Sequence, residues 1–223
     1  MNDGDALLRA ILAHPDEDTP RLMYADWLDE NGQPERAEFI RLQILLHNTP
    51  FIRKGGYFAV WPEPWASRIA RVNRLVAAHG AEWAGPARAL APRLPEHMFG
   101  RWFERGFVEH IPLYWDALLA HTGAIFAACP VRTVWDVGTP RRQEPVDMTT
   151  RHVWFGGGVQ PFDSSRLPTA IYDLLPIEWR ERGWRYESDA RLALSDAIVR
   201  YGRRRVGLPD LPPSPLLELP AAA

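Results

Sequence analysis

The densest group of side chains able to do chemistry lies near the N-terminus, where Asp16, Glu17, Asp18, Asp26, Asp29 and Glu30 fall within one short stretch. Clustered carboxylate oxygens can hold calcium or magnesium, but the spacing does not follow a calcium-loop pattern. Arg21, Arg36 and Arg41 are near enough in sequence to pair with these acids. Structural ion pairing and helix capping are therefore expected, with Arg21, Asp26, Arg36, Glu38 and Arg41 as the participants. Asp26 with Arg36 is the pair expected to lock one helix against the next, because guanidinium and carboxylate can meet in a bidentate fork.

The other candidates are weaker. Seven histidines are scattered along the chain, and none forms the His-x-x-x-His or His-Glu-x-x-His spacing that sets two imidazoles on one helical face for zinc. His97 and His110 each follow a glutamate, which alone indicates little, and satisfied or exposed rings are expected. Cys129, between Ala128 and Pro130, suits a small buried residue; a nucleophile would need a base beside it. Gly156-Gly157-Gly158 lacks the Lys-Ser or Lys-Thr ending of a phosphate loop and reads as a flexible strand exit. No cofactor or metal is implied, and the chain is expected not to be an enzyme. Arg200, Arg203, Arg204 and Arg205 form the single basic cluster, at the end of a helix where positive charge favours the dipole; phosphate contact with nucleic acid is the alternative role.

Composition narrows the classes further. The 223 residues are 46% hydrophobic and include ten Trp and nine Phe, enough apolar area to bury a substantial core. A formal charge of −2 gives no overall attraction to nucleic acid or anionic lipid. Lys54 is the only lysine among 26 basic residues, a bias that reads as genomic base composition. The acidic start Met1-Asn2-Asp3-Gly4-Asp5 is unlike a secretory signal, no apolar run approaches a membrane span, and a lone cysteine fits a reducing compartment. A cytoplasmic protein is expected.

These side chains must be held by elements that periodicity can locate. Leu7, Leu8, Ile11 and Leu12 recur at helical spacing up to His14-Pro15. Thr19-Pro20 is a helix-start signal, Asn31-Gly32 a stop, and Pro34 opens a third helix with apolar residues on two stripes. Residues 50–64 read as a connector, Trp65 to His79 as a fourth helix ending at Gly80, and residues 85–100 as irregular. Phe107 to Leu113, Val131 to Val137 and Arg151 to Phe155 alternate as strands, with a helix over Trp115 to Cys129 between the first two. Arg132-Thr133-Val134-Trp135 and Arg151-His152-Val153-Trp154 share Arg-x-Val-Trp nineteen residues apart. A short helix is expected over Leu167 to Leu175 and a stronger one capped by Ser188 up to Tyr201-Gly202, followed by an extended or disordered proline-rich tail.

The N-terminal block reads Leu7-Leu8-x-Ala10-Ile11, then His14-Pro15-Asp16-Glu17-Asp18-Thr19-Pro20-Arg21-Leu22, then Tyr24-Ala25-Asp26-Trp27-Leu28-Asp29-Glu30-Asn31-Gly32, and finally Arg36-Ala37-Glu38-Phe39-Ile40-Arg41-Leu42-Gln43. It resembles a bacterial repeat-companion domain, a short helical module that precedes degenerate leucine-rich repeats. Arg105-Gly106-Phe107-Val108-Glu109 resembles the segment that leads from this module into the first repeat strand. The resemblance covers about the first fifty residues continuously and implies no catalytic residues.

The architecture expected is α+β leaning to α/β: a helical cap followed by a short, irregular solenoid resembling leucine-rich repeats, with few short strands. The divisions are 1–49 for the helical module, 50–100 for a connector with one helix, 101–206 for the repeat-like region and 207–223 for the tail. The function expected is a protein-interaction or assembly subunit whose partner is another protein or a second copy. Trp102, Trp135, Trp154, Trp179 and Trp184 are its candidate interface residues, since Trp and Arg dominate interface hot spots; core packing is their competing role. An accessory role in touching nucleic acid and an unrecognised hydrolase are the alternatives.

Overall fold

A computed structural model describes residues 2–49, 63–92, 96–113, 115–136, 168–175 and 187–212. The chain divides into two compact units, one of residues 1–110 with 124–131 and the other of 111–123 with 132–223. The first unit thus joins what the sequence divides into a 1–49 module and a 50–100 connector. The expected strand at Arg151 to Phe155, the Gly156-Gly157-Gly158 loop, and residues 213–223 of the proline-rich tail lie outside the described residues.

The described residues are mostly helical, with few short strands and no closed sheet among them, consistent with an α+β fold that leans to α where the sequence suggested α/β. In the first unit α1 (Asp3–Ala13) starts from an Asn2 cap whose side chain accepts from the Asp5 amide at 2.8 Å. Helix α2 (Thr19–Glu30) begins one residue earlier than Thr19 capping requires: Thr19 is already helical, and Asp18 at the cap directs its carboxylate elsewhere. Gly32, with φ of 75°, makes the turn into α3 (Pro34–His47). Ile11, Ala25, Leu28, Ala37, Ile40, Ile44 and Phe107 form the core of this helical group, with Leu8, Tyr24 and Trp27 packed against it.

Helix α4 (Trp65–Trp83) continues through Gly80, where the sequence predicts its end. The reason is tertiary. Trp83, one turn beyond His79, stacks on that imidazole at 4.8 Å and packs against Phe39 at 5.0 Å, and Gly80 itself is buried. Beyond it, residues expected to be irregular form two 3-10 helices, Gly85–Leu90 and Glu96–Trp102.

The expected strand from Phe107 to Leu113 is two elements. Strands β1 (Phe103–Glu104) and β2 (Phe107–Val108) form an antiparallel hairpin in which Phe103 faces Val108 and Glu104 faces Phe107. Its two-residue turn, Arg105-Gly106, holds φ of 48° and 86°, the left-handed pair that a tight hairpin turn needs. An arginine at the first of those positions is unusual, which is why the sequence does not announce the turn. Strand β3 (His110–Leu113) follows, then α5 (Trp115–Ala128) and β4 (Thr133–Asp136).

In the second unit β3 and β4 pair in a two-stranded sheet, and the short α6 (Thr169–Tyr172) and long α7 (Glu187–Arg205) complete the described elements. Ser195 Oγ on α7 accepts from the Val134 amide on β4 at 2.9 Å, while Ala193, Leu194, Ala197 and Ile198 are buried. This helix runs past its expected end at Gly202 to Arg205, and closes at Gly207 (φ 74°) where the Leu208 amide donates to the Arg203 carbonyl at 2.9 Å.

Candidate functional site

Two groupings in the first unit take up Arg21, Asp18, Asp26, Asp29 and Arg41 of the acids and arginines read from the sequence. The first is buried. Arg21 is completely enclosed and Glu109 is 1% exposed, yet they are 88 positions apart in the chain. Arg21 Nη2 lies 2.7 Å from Glu109 Oε1 and donates to the Pro15 carbonyl at 2.8 Å; its Nη1 donates to the Arg105 carbonyl at 3.2 Å. Arg105 donates in turn to both Glu109 oxygens at 3.1 and 3.2 Å, to the Pro15 carbonyl at 2.7 Å and to the Asp16 carbonyl at 3.0 Å. The left-handed hairpin turn and the loop before α2 are therefore fastened by the same two guanidiniums. Burial pushes the Glu109 carboxyl upward and the Arg21 and Arg105 charges pull against it; with two cations in hydrogen-bond range, the ionised form is the one this network is built around.

Helix α3 fastens the other side of the hairpin. Gln43 Oε1 accepts from the Gly106 amide at 2.7 Å, and an added side-chain carbon at Gly106 would stand 2.5 Å from Ile40 Cγ1. One turn on, His47 Nδ1 lies 2.5 Å from Glu104 Oε1, and His110 Nε2 lies 2.7 Å from Glu104 Oε2. The two imidazoles, His110 first, hold the Glu104 carboxyl down at about 2. Histidine spacing misses this grouping because its members come from a helix end and two strands.

The second grouping is exposed and lies between α2 and α3, which pack as neighbours. Asp18 Oδ2 accepts from Asn48 Nδ2 at 2.8 Å, at the start of α2 and the end of α3. Further along, Arg41 reaches Asp26 at 2.6 Å and Asp29 at 2.5 Å. These links run antiparallel. Leu22 sits one turn from both Asp18 and Asp26 on α2, and Leu45 sits between Arg41 and Asn48 on α3, so the two leucines fall at the same level of the seam. They are 39% and 41% exposed, and Met23 on the adjoining stripe is 54% exposed.

The expected participants separate accordingly. Asp26 pairs with Arg41 and not with Arg36, correcting the pair expected from sequence. Five positions separate Arg36 from Arg41, which turns the two side chains to different sides of α3. Arg36 instead lies over the rings of Trp83 at 4.9 Å, Phe107 at 5.3 Å, Phe39 at 5.5 Å and Phe103 at 5.8 Å. Its Nη1 atom is enclosed without a hydrogen-bond partner, and burial lowers the guanidinium to about 10. Glu38 makes a bidentate pair with Arg71 on α4, at 2.9 and 2.5 Å, which holds its carboxyl below the usual range.

Trp102 is 1% exposed and stands edge-on to Phe99 at 4.8 Å, so it belongs to the core and not to an interface. The Trp135 side chain, Trp154, Trp179 and Trp184 lie outside the described residues. Among the arginines considered for nucleic acid, Arg203 is buried with Nε donating to the Pro209 carbonyl at 2.7 Å. Arg200 pairs with Asp196, Arg204 with Asp210 at 2.6 Å, and Arg205 donates to the Tyr201 hydroxyl at 3.1 Å. Cys129 is buried, and burial pushes its thiol up to about 12.

Among the described residues no helix is long and apolar enough to cross a membrane, and no three His, Cys, Asp or Glu side chains are grouped so as to hold a metal ion. No family model, no curated protein and no solved structure matches the chain.

Proposed function

We propose that the chain is a non-catalytic protein-interaction or assembly module, working in the reducing compartment that a single cysteine suits. Its first fifty residues act as a cap of the repeat-companion type, and β3, α5 and β4 form one coil of a short leucine-rich-like solenoid. The coil is supported by two adjacent strands with a helix between them, in which Ile111 and Val134 are both buried and stand 23 positions apart.

The observation that carries the interaction reading is the pair Leu22 and Leu45. Two large aliphatic side chains are held in water at the same level of a seam whose polar neighbours are fixed by Asp18–Asn48 and Asp26–Arg41–Asp29 links. Exposed leucines in isolation are ordinary, but aligned and rimmed by fixed polar groups they offer a preorganised contact. Native mass spectrometry of the full chain from its source cells, set beside the Leu22→Ser/Leu45→Ser variant, tests this. The expected result is a stoichiometric complex, with another protein or a second copy, that the variant loses. A monomer in both preparations, or a complex indifferent to the variant, refutes it.

A further inference from the structure

The seam carries more acids than cations. Asp18, Asp26 and Asp29 line it, and Glu30 and Glu35 stand exposed where α2 gives way to α3, Glu35 with His79 Nε2 at 2.9 Å. Other basic side chains of the same stretch are engaged elsewhere: Arg21 in the buried link to Glu109, Arg36 over aromatic rings, and the His47 ring on Glu104. Two guanidiniums reach the seam: Arg41 between Asp26 and Asp29, and Arg105, whose Nη1 lies 3.5 Å from Asp18 Oδ1, so the acids still outnumber the cations. A second copy laid face to face would set these acids against each other, and like-charge juxtaposition disfavours that arrangement.

We infer that the α2–α3 seam binds a basic amphipathic helix of a partner protein, which places an aliphatic side chain between Leu22 and Leu45 and a cation toward the acids at either end. This rests on the interaction reading above and names the partner's chemistry. Spacing sets the register. Asp18 and Asp26 are two turns apart on α2, about 12 Å along the axis at roughly 1.5 Å per residue. A helix lying along the seam meets both with Arg or Lys seven or eight positions apart, and the side chain midway between them, three or four positions from each, falls over the leucines.

The test uses the full chain and synthetic helical peptides of about 15 residues. One carries Arg at i and i+7 with Leu at i+3 and i+4; a second is the same with Glu in place of Arg. Affinity is read by fluorescence anisotropy at several salt concentrations, location by amide chemical shifts, and self-association by sedimentation. The Arg peptide should bind, shift the amides around Leu22 and Leu45, and weaken as salt rises. Leu22→Ser/Leu45→Ser should weaken it by about tenfold or more, because each lost aliphatic contact is worth a large part of that factor. Asp26→Asn/Asp29→Asn should weaken it several-fold and flatten the salt response. All four positions are exposed, so circular dichroism should be unchanged.

Equal binding of the Glu peptide at the same amides overturns the basic partner and leaves the seam as an interface. So does self-association that depends on Leu22 and Leu45. Peptides that never perturb the seam, with a chain that stays monomeric, overturn this inference and the interaction reading together.

Discussion

Replacing Glu109 by Gln removes one charge and almost no volume from the most enclosed ion cluster of the first unit. Arg21 is fully buried, Glu109 nearly so, and Arg105 is 6% exposed. In the variant both guanidiniums keep their carbonyl partners at Pro15, Arg105 and Asp16, and Arg105 keeps Asp18 at 3.5 Å, but they lose their shared buried anion. Breaking a buried ion pair by removing one partner costs about 3–5 kcal/mol. With a urea slope of about 2 kcal/mol per molar, the midpoint should fall by about 1.5–2.5 M.

Arg41→Gln is the matched comparison. Arg41 meets Asp26 and Asp29 at 2.6 and 2.5 Å, distances as short as the 2.7 Å between Arg21 and Glu109. Its pairs are exposed, however, and exposed pairs contribute under about 1 kcal/mol. Equilibrium urea unfolding followed by tryptophan fluorescence and circular dichroism together checks both variants, provided the two signals change in step. A Glu109→Gln loss below about 1 kcal/mol, or one equal to that of Arg41→Gln, refutes the argument that burial and not distance sets the strength of these contacts.

Three other outcomes follow from the same geometry. Gly106→Ala places a methyl carbon 2.5 Å from Ile40 Cγ1 and 2.7 Å from Ile40 Cα at a φ of 86°; backbone strain and overpacking together should cost about 2–5 kcal/mol in urea unfolding, and a neutral effect would contradict the hairpin's close approach to α3. Folding lowers the Glu104 carboxyl from 4.5 to about 2, so its contribution is complete above about 4.5 and is lost as pH falls toward 2. At 1.36 kcal/mol per unit, discounted by about half because a third of the side chain meets water, Glu104→Gln should cost about 1.5 kcal/mol above that window and nothing below it; thermal melts across the window check this, and a difference that grows on acidification refutes it. Cys129, buried with its thiol pushed up to about 12, should react with an aromatic disulfide reagent only on unfolding, and rapid labelling of the folded chain at neutral pH would show an open site.

Local chemistry in the sequence was enough to place the helices that carry the seam. Proline at the start of α2 and α3, Asn31-Gly32 between them, and apolar residues at helical spacing fix those elements, because each signal acts within a turn or two of where it stands. The same signals mislead where distant contacts prevail. Gly80 and Gly202 interrupt no helix, since Trp83 packing on Phe39 and the α7 residues buried beside β4 outweigh the local cost of glycine.

Pairing was the part that only the tertiary structure decided. A sequence shows that Arg21, Arg36 and Arg41 have carboxylates nearby, but the direction of each side chain around its helix sends Arg41 to the seam, Arg36 under aromatic rings and Arg21 to Glu109. The Glu104 site and the Arg105-Gly106 turn are invisible to spacing for the same reason: their partners come from α3 and the loop before α2, so the contacts exist only once those elements close on the hairpin. Charge and exposure of the seam combine both levels. The acids are written in α2, and it is the antiparallel packing of α3 that sets Leu45 opposite Leu22 and leaves both in water.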